Sequence, residues 1–302
     1  MTVNSISDAK VVDWRTVVQF VALCFGLTWG VEGFALAMGV TLDSSWGTAL
    51  MAGVMFLPAL SAFIVLRSKT GSGKITELWR LGPWRAYVAV WFGVPLVVAI
   101  IYALSWQLGL AEFEATADSI LKHLPALPAG KQLPPTPILL LAVALSSLTI
   151  GVLVTSVFTF GEEYGWTGFL LPALLPLGIV RAVLCYGLVW GLWHAPLVMA
   201  GFNYPGYPVV GVAMMCLFTI GVGAVQCALL LRFRSFFVTT FLHASINSQA
   251  RGLVALLFAG VHPLLGGMVG LVGCAVIGLV GVMCLMTLTP QDNKQPPLGG
   301  NI

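Results

Sequence analysis

The stretch Gly161-Glu162-Glu163-Tyr164-Gly165-Trp166-Thr167-Gly168 follows an apolar run that begins at Ile138, and it sets two adjacent carboxylates inside or at the edge of that run. The nearest charged residues on either side are Lys131 and Arg181. A charged side chain at the centre of a membrane helix costs about 2.5–3.5 kcal/mol on insertion scales. Chains retain such a group where it faces a bundle interior or a wet cavity. Two further polar sites lie downstream in equally apolar stretches, at His194 and at His243 with Asn247. The three sites together are expected to form one catalytic centre inside a membrane.

The composition sets the same solvent. Of 302 residues, 59% are hydrophobic and 8% charged, and the mean hydropathy is +0.98. Soluble domains carry roughly 25% charge, so this chain cannot cover a water-exposed surface. Its apolar runs reach the ~20 residues that a helix needs to cross a bilayer, and they lack the alternation of barrel strands. The expected fold is an all-α membrane protein, a multi-pass bundle of about eight transmembrane helices around an intramembrane polar cavity. The net charge of +3 is too small to point to nucleic acid. The six cysteines sit in apolar runs without CxxC spacing and read as buried small hydrophobes.

Along the chain, residues 1–15 form a polar tail, and the first apolar run is too long for a signal-peptide core. Spans are expected at roughly 16–40, 48–66 and 86–110. The loop between the last two is the most basic of the chain, with Arg67, Lys69, Lys74, Arg80 and Arg85 against Glu77. The following loop is acidic at Glu112, Glu114 and Asp118, then Pro-rich. The fourth span starts near Ile138 and runs to the glutamate pair or beyond, with a break or bend expected at Pro172 and Pro176. Further spans are expected at roughly 179–200, 209–231, 236–250 and 264–288, before a polar tail. An eight-span count puts the loop 67–85, Arg181, Arg232, Arg234 and both termini on one side, which the positive-inside rule makes cytoplasmic.

Neighbours on a helix point about 100° apart, so Glu162 and Glu163 cannot share one role. Solvated acids at a helix end are the plain alternative. Trp190 and His194 share a helix face, and a neutral imidazole can relay a proton near pH 7; a backbone hydrogen bond is its plain alternative. His243 and Asn247 also share a face and can both donate to a developing oxyanion, or act as glue between helices. His123 and His262 fall in loops and are not expected to be catalytic. Glu32 is the one other carboxylate well within a span.

Two acids, then aromatic-x-x-x-His, then His-x-x-x-Asn, in that order on separate spans, resemble the CPBP (Abi) intramembrane protease family, which includes the type II CAAX prenyl endopeptidases and bacteriocin-immunity proteins. The family pattern is Glu-Glu-x-x-x-Arg, Phe-x-x-x-His and His-x-x-x-Asn or Asp, matched here by Glu162, Glu163, His194, His243 and Asn247. The chain then divides into the tail 1–15, motif-free spans at 16–136, a CPBP-type core at 137–255, a last span at 256–289 and the tail 290–302. Trp190 stands where the pattern has Phe, and Thr167 where it has Arg. Without that Arg, Glu163 is expected to be protonated or paired with another cation such as Arg181.

The resemblance implies an endopeptidase in which Glu162 and His194 activate water while His243 and Asn247 hold the oxyanion. The substrate is expected to be a hydrophobic or lipidated, possibly prenylated, protein segment, and the lipids of the bilayer are its other partners. No cofactor is favoured. The rival chemistry is a zinc ion held by Glu162, His194 and His243 with an open position for water. Outside proteolysis, the same buried acids and histidines would suit an ion- or proton-coupled transporter, or an inactive membrane scaffold of the immunity type.

Overall fold

The computed structural model describes residues 11–70, 78–116 and 135–289. Most of both expected tails, the centre of the basic loop and the Pro-rich segment with His123 lie outside them.

The described chain is almost all helix. Helix α1 (Trp14–Ala37) begins where the Asp13 side chain accepts the Thr16 N–H at 3.2 Å. Helices α2 (Ser45–Val54) and α3 (Leu57–Thr70) follow, and then α4 (Trp84–Gln107). The two-residue strand β1 (Glu112–Phe113) pairs antiparallel with β2 (Phe258–Ala259) near the far end of the chain.

One helical stretch then runs from Thr136 to Leu177 with one irregularity at Thr149, whose backbone (φ −122°, ψ −87°) leaves helical values. It comprises α5 (Thr136–Leu148), α6 (Ile150–Gly165), a single π turn (Trp166–Leu170), α7 (Leu171–Leu174) and a closing 3-10 turn (Leu175–Leu177). Pro172 has no N–H to give the carbonyl four residues back, and the ladder widens just ahead of it, with the Leu171 N–H reaching the Trp166 carbonyl. The prolines thus change the winding without breaking the helix, which stops only at Gly178 with φ +86°. The glutamate pair therefore sits inside the stretch rather than at its end.

Helix α8 (Ile179–Trp193) and the short α9 (Ala195–Met199) meet at His194. Then come α10 (Pro208–Phe233), α11 (Phe236–Gln249), the single turn α12 (Leu253–Leu256) and α13 (Leu271–Met286).

Among the described residues, five helical stretches are long and apolar enough to cross a membrane: Trp14–Ala37, Ser45–Ser68, Trp84–Gln107, Thr136–Leu177 and Pro208–Phe233. The three other expected spans correspond to α8, α11 and α13, of 15, 14 and 16 residues. At 1.5 Å per residue none of them covers the ~30 Å hydrocarbon core alone. Helix α11 has a different position from a lipid-facing span, because eleven of its residues are buried. It forms the centre of the bundle and packs on α6 and α4.

Small residues bring the site helices together. A Cβ on Gly161 would lie 2.7 Å from the Met55 carbonyl oxygen, and one on Gly165 would lie 2.6 Å from Pro58. This Gly-xxx-Gly pair brackets the two glutamates and seats α6 on the α2–α3 junction, in the manner of close-packed membrane helices.

Candidate functional site

Glu162 and Glu163 diverge as their spacing requires, and both are buried, at 3% and 0% exposure. Glu162 turns toward α8. Its Oε2 accepts the indole N–H of Trp166 from the π turn and that of Trp190 from α8, each at 3.2 Å. Its Oε1 accepts no hydrogen bond among the described residues. The carboxylate is thus aimed by one oxygen, with the other left for a reacting group.

Glu163 turns toward α10 and α11. Its Oε1 accepts from Gln226 Nε2 at 2.8 Å and from His243 Nδ1 at 2.9 Å. Its Oε2 accepts the Thr167 hydroxyl at 2.7 Å, and that hydroxyl lies 2.7 Å from Thr239 Oγ1. Gln226 is itself held by the Tyr186 hydroxyl, which donates to its Oε1 at 2.8 Å. The expected alternative partner, Arg181, is exposed near the start of α8 and does not meet Glu163. Position 167 is fully buried between Glu163 and Thr239, and the groups that answer Glu163 come from α10 and α11 instead.

His194 terminates α8, and its Nδ1 lies 2.9 Å from the Trp190 carbonyl oxygen. A carbonyl only accepts, so Nδ1 carries the proton and the Nε2 lone pair of the neutral ring is free. The backbone bond anticipated as the plain alternative is present, and it fixes the tautomer that a proton acceptor needs. The Trp193 ring meets His194 edge-on at 4.8 Å between centroids.

Trp190 is the hub of the arrangement. Its N–H holds Glu162, while its ring centroid lies 5.2 Å from that of His243 and 6.1 Å from that of His194. The structure therefore brings Glu162, His194 and His243 around one side chain, and Glu163 joins them through its bond to His243. Among these four, Glu163 and His243 are hydrogen-bonded to each other. Asn247, one turn beyond His243, is partly exposed and makes no hydrogen bond among the described residues. Also among them, no three carboxylate, histidine or cysteine groups converge closely enough to ligate one metal ion.

Sequence reading missed Trp166, Gln226, Tyr186 and Thr239. Gln226 was legible as the one amide in the apolar run of α10, but the threonines and the tyrosine carry no comparable signal. Glu32 was noted without a role. It is 0% exposed, neither carboxylate oxygen has a hydrogen-bond partner, and it lies within electrostatic range of Glu162. One turn earlier on α1, Thr28 Oγ1 accepts the Trp193 indole N–H at 2.8 Å, which ties this face of α1 to the His194 corner.

A search of curated proteins found no match to the chain. Residues 138–249 match the family model described as type II CAAX prenyl endopeptidase Rce1-like, and all five candidate residues fall within that match. Together with the apolar helices, this makes the chain an integral membrane protein, and its residues 138–249 are similar to the CPBP-type prenyl endopeptidase domain.

Proposed function

We propose that the chain is an intramembrane endopeptidase that hydrolyses a peptide bond in a hydrophobic or prenylated, membrane-associated substrate. The observation that carries this reading is the pinned but half-open Glu162 carboxylate beside a histidine with a free Nε2. Peptide hydrolysis needs a base to take a proton from water and a donor set to hold the tetrahedral oxyanion. Glu162 Oε1 and His194 Nε2 are both free to accept a proton, and they suit the first task.

The second task falls to His243 and Asn247. The Nδ1–H of His243 is committed to Glu163, so its Nε2 donates only when the ring carries two protons. The Glu163 carboxylate is then its counter-ion. In this reading the missing family Arg has a consequence: with Thr167 in its place, the charge of Glu163 is left for His243. The Asn247 amide, without a partner of its own, supplies the second donor. This route needs no metal, and the chelator arm of the cleavage test decides between it and the zinc reading. The end of the bundle that carries Arg80, Arg85, Arg232 and Arg234 is placed in the cytoplasm.

The test is cleavage of a panel of prenylated C-terminal peptides by the purified protein, with and without a zinc chelator, beside Glu162→Gln. Cleavage should persist with chelator and fall by about 100- to 10,000-fold in the variant, the range for loss of a general base. Because Gln keeps an oxygen for the two indoles, the variant should remain folded. Activity in Glu162→Gln close to the wild type would refute the assigned base, and loss with chelator would favour the zinc reading. A folded wild type that cleaves none of the panel would favour the scaffold, and Glu162-dependent flux in liposomes without cleavage would favour the transporter.

A further inference from the structure

Behind the site, on the other side of α10 and α11, lies a half-open groove of about 370 Å³ between α4, α10, α11 and α13. Its wall along α4 is one helix face, in which Ala86, Ala89 and Gly93 form a low floor. From Arg85 to Ile101 that face extends ~24 Å at 1.5 Å per residue, most of the depth of a hydrocarbon core. No acidic residue lines it. A slot this long and apolar is not one that water fills.

One mouth of the groove carries two cations. Arg85, in the first turn of α4, and Arg232, in the last turn of α10, both line it. Neither has an acidic partner among the described residues. Arg232 reaches only the Thr287 hydroxyl at 3.5 Å, and Arg85 lies against the Trp84 ring at 5.8 Å. Two unpaired guanidinium groups over a hydrocarbon slot match an amphiphile with an anionic head, and basic pockets between helices bind such headgroups.

We propose that this groove holds an acyl chain of an anionic phospholipid whose phosphate sits between Arg85 and Arg232. The occupant is a lipid rather than the substrate's own prenyl chain because of where the wall stands. Leu242 and Ile246 of α11 face the groove, while His243 between them reaches Glu163 on the opposite side. A prenyl chain here would leave its peptide bond behind the helix that carries the oxyanion donors. A lipid here instead braces α10 and α11, the helices that supply Gln226 and His243, and so ties the geometry of Glu163 to the surrounding bilayer.

The experiment is thermal unfolding of the full chain, purified in a neutral detergent, with phosphatidylglycerol or phosphatidylcholine added; its readout requires no cleavage. Phosphatidylglycerol should raise the melting temperature in a saturable way, and phosphatidylcholine should not. The double variant Arg85→Gln/Arg232→Gln should lose that difference. Gly93→Phe should lose it too: a Cβ at Gly93 meets nothing within 4 Å, so the ring fills the groove rather than displacing backbone. Equal shifts with both lipids, or a shift that survives either variant, would overturn the proposal. So would a rise in KM for a prenylated peptide caused both by Gly93→Phe and by added phosphatidylglycerol, because the groove would then be the substrate's seat.

Discussion

The indole N–H of Trp190 reaches the same carboxylate oxygen as that of Trp166, and the family's Phe cannot make that bond. Phe would still offer a ring to His194 and His243. Trp190→Phe should therefore fold and lose one hydrogen bond of about 0.5–1.5 kcal/mol, a fall in kcat of about tenfold or less. Trp190→Ala should be near-inactive, because it also empties the space between the two histidines. If both variants lost the same activity in the peptide assay, the ring contacts would not matter. Glu32 is the opposite case, a buried acid with no hydrogen-bond partner among the described residues. Replacing an unsatisfied polar group by an apolar one of similar size removes a desolvation penalty of about 1–3 kcal/mol. Glu32→Leu is accordingly expected to raise the melting temperature in detergent. A lower one would mean that the carboxyl is satisfied in the membrane, by water or another group.

At the level of helices, the glutamate pair depends on where α6 is seated. Gly161 and Gly165 put backbone against Met55 and Pro58, at separations where a side chain would collide with main-chain atoms that cannot yield. Gly161→Leu or Gly165→Leu should cost about 1–3 kcal/mol or more through overpacking and shift Glu162 away from the α8 indoles. The check is the yield of monodisperse protein together with residual cleavage. A well-folded, fully active Gly165→Leu would show that α6 can be reseated without loss. The same helices show what the sequence made legible. Two charged residues in an uncharged run, and polar residues on apolar spans, singled out Glu162, Glu163 and His243, which the structure buries because such groups are kept in a membrane only where they are sheltered. The winding between them was not legible: Pro172 announced a disturbance, but only the packed structure shows a continuous helix with a π turn that swings Trp166 onto Glu162. Nor was the pairing of Glu163. Arg181 is nearby in sequence and carries the right charge, whereas Gln226 and His243 arrive from later helices through tertiary packing.

Taken as a whole, the molecule is polarised. Arg85 begins α4, Arg232 ends α10, and the Ser235 hydroxyl that caps α11 also donates to the Arg80 carbonyl, so these basic residues share one end of the bundle. The last helix finishes there as well, since Thr287 just beyond α13 accepts from Arg232. The first helix starts at that end too if the chain crosses once in α1 and returns through α2 and α3, which leads into the basic loop. Lys and Arg close to span ends are retained on the cytoplasmic side, and charge bias in short loops of this kind sets orientation. Both termini are therefore expected in the cytoplasm, although the short α8, α11 and α13 do not each span the bilayer unaided. In a bacterial host, fusion of a fluorescent reporter that matures only in the cytoplasm, at either end of the chain, should give fluorescent cells. Fusion of a phosphatase that is active only outside should give none. A phosphatase signal at one terminus alone would mean an odd number of crossings. A signal at both would place the arginine-bearing end, and with it the mouth of the lipid groove, on the far side of the membrane.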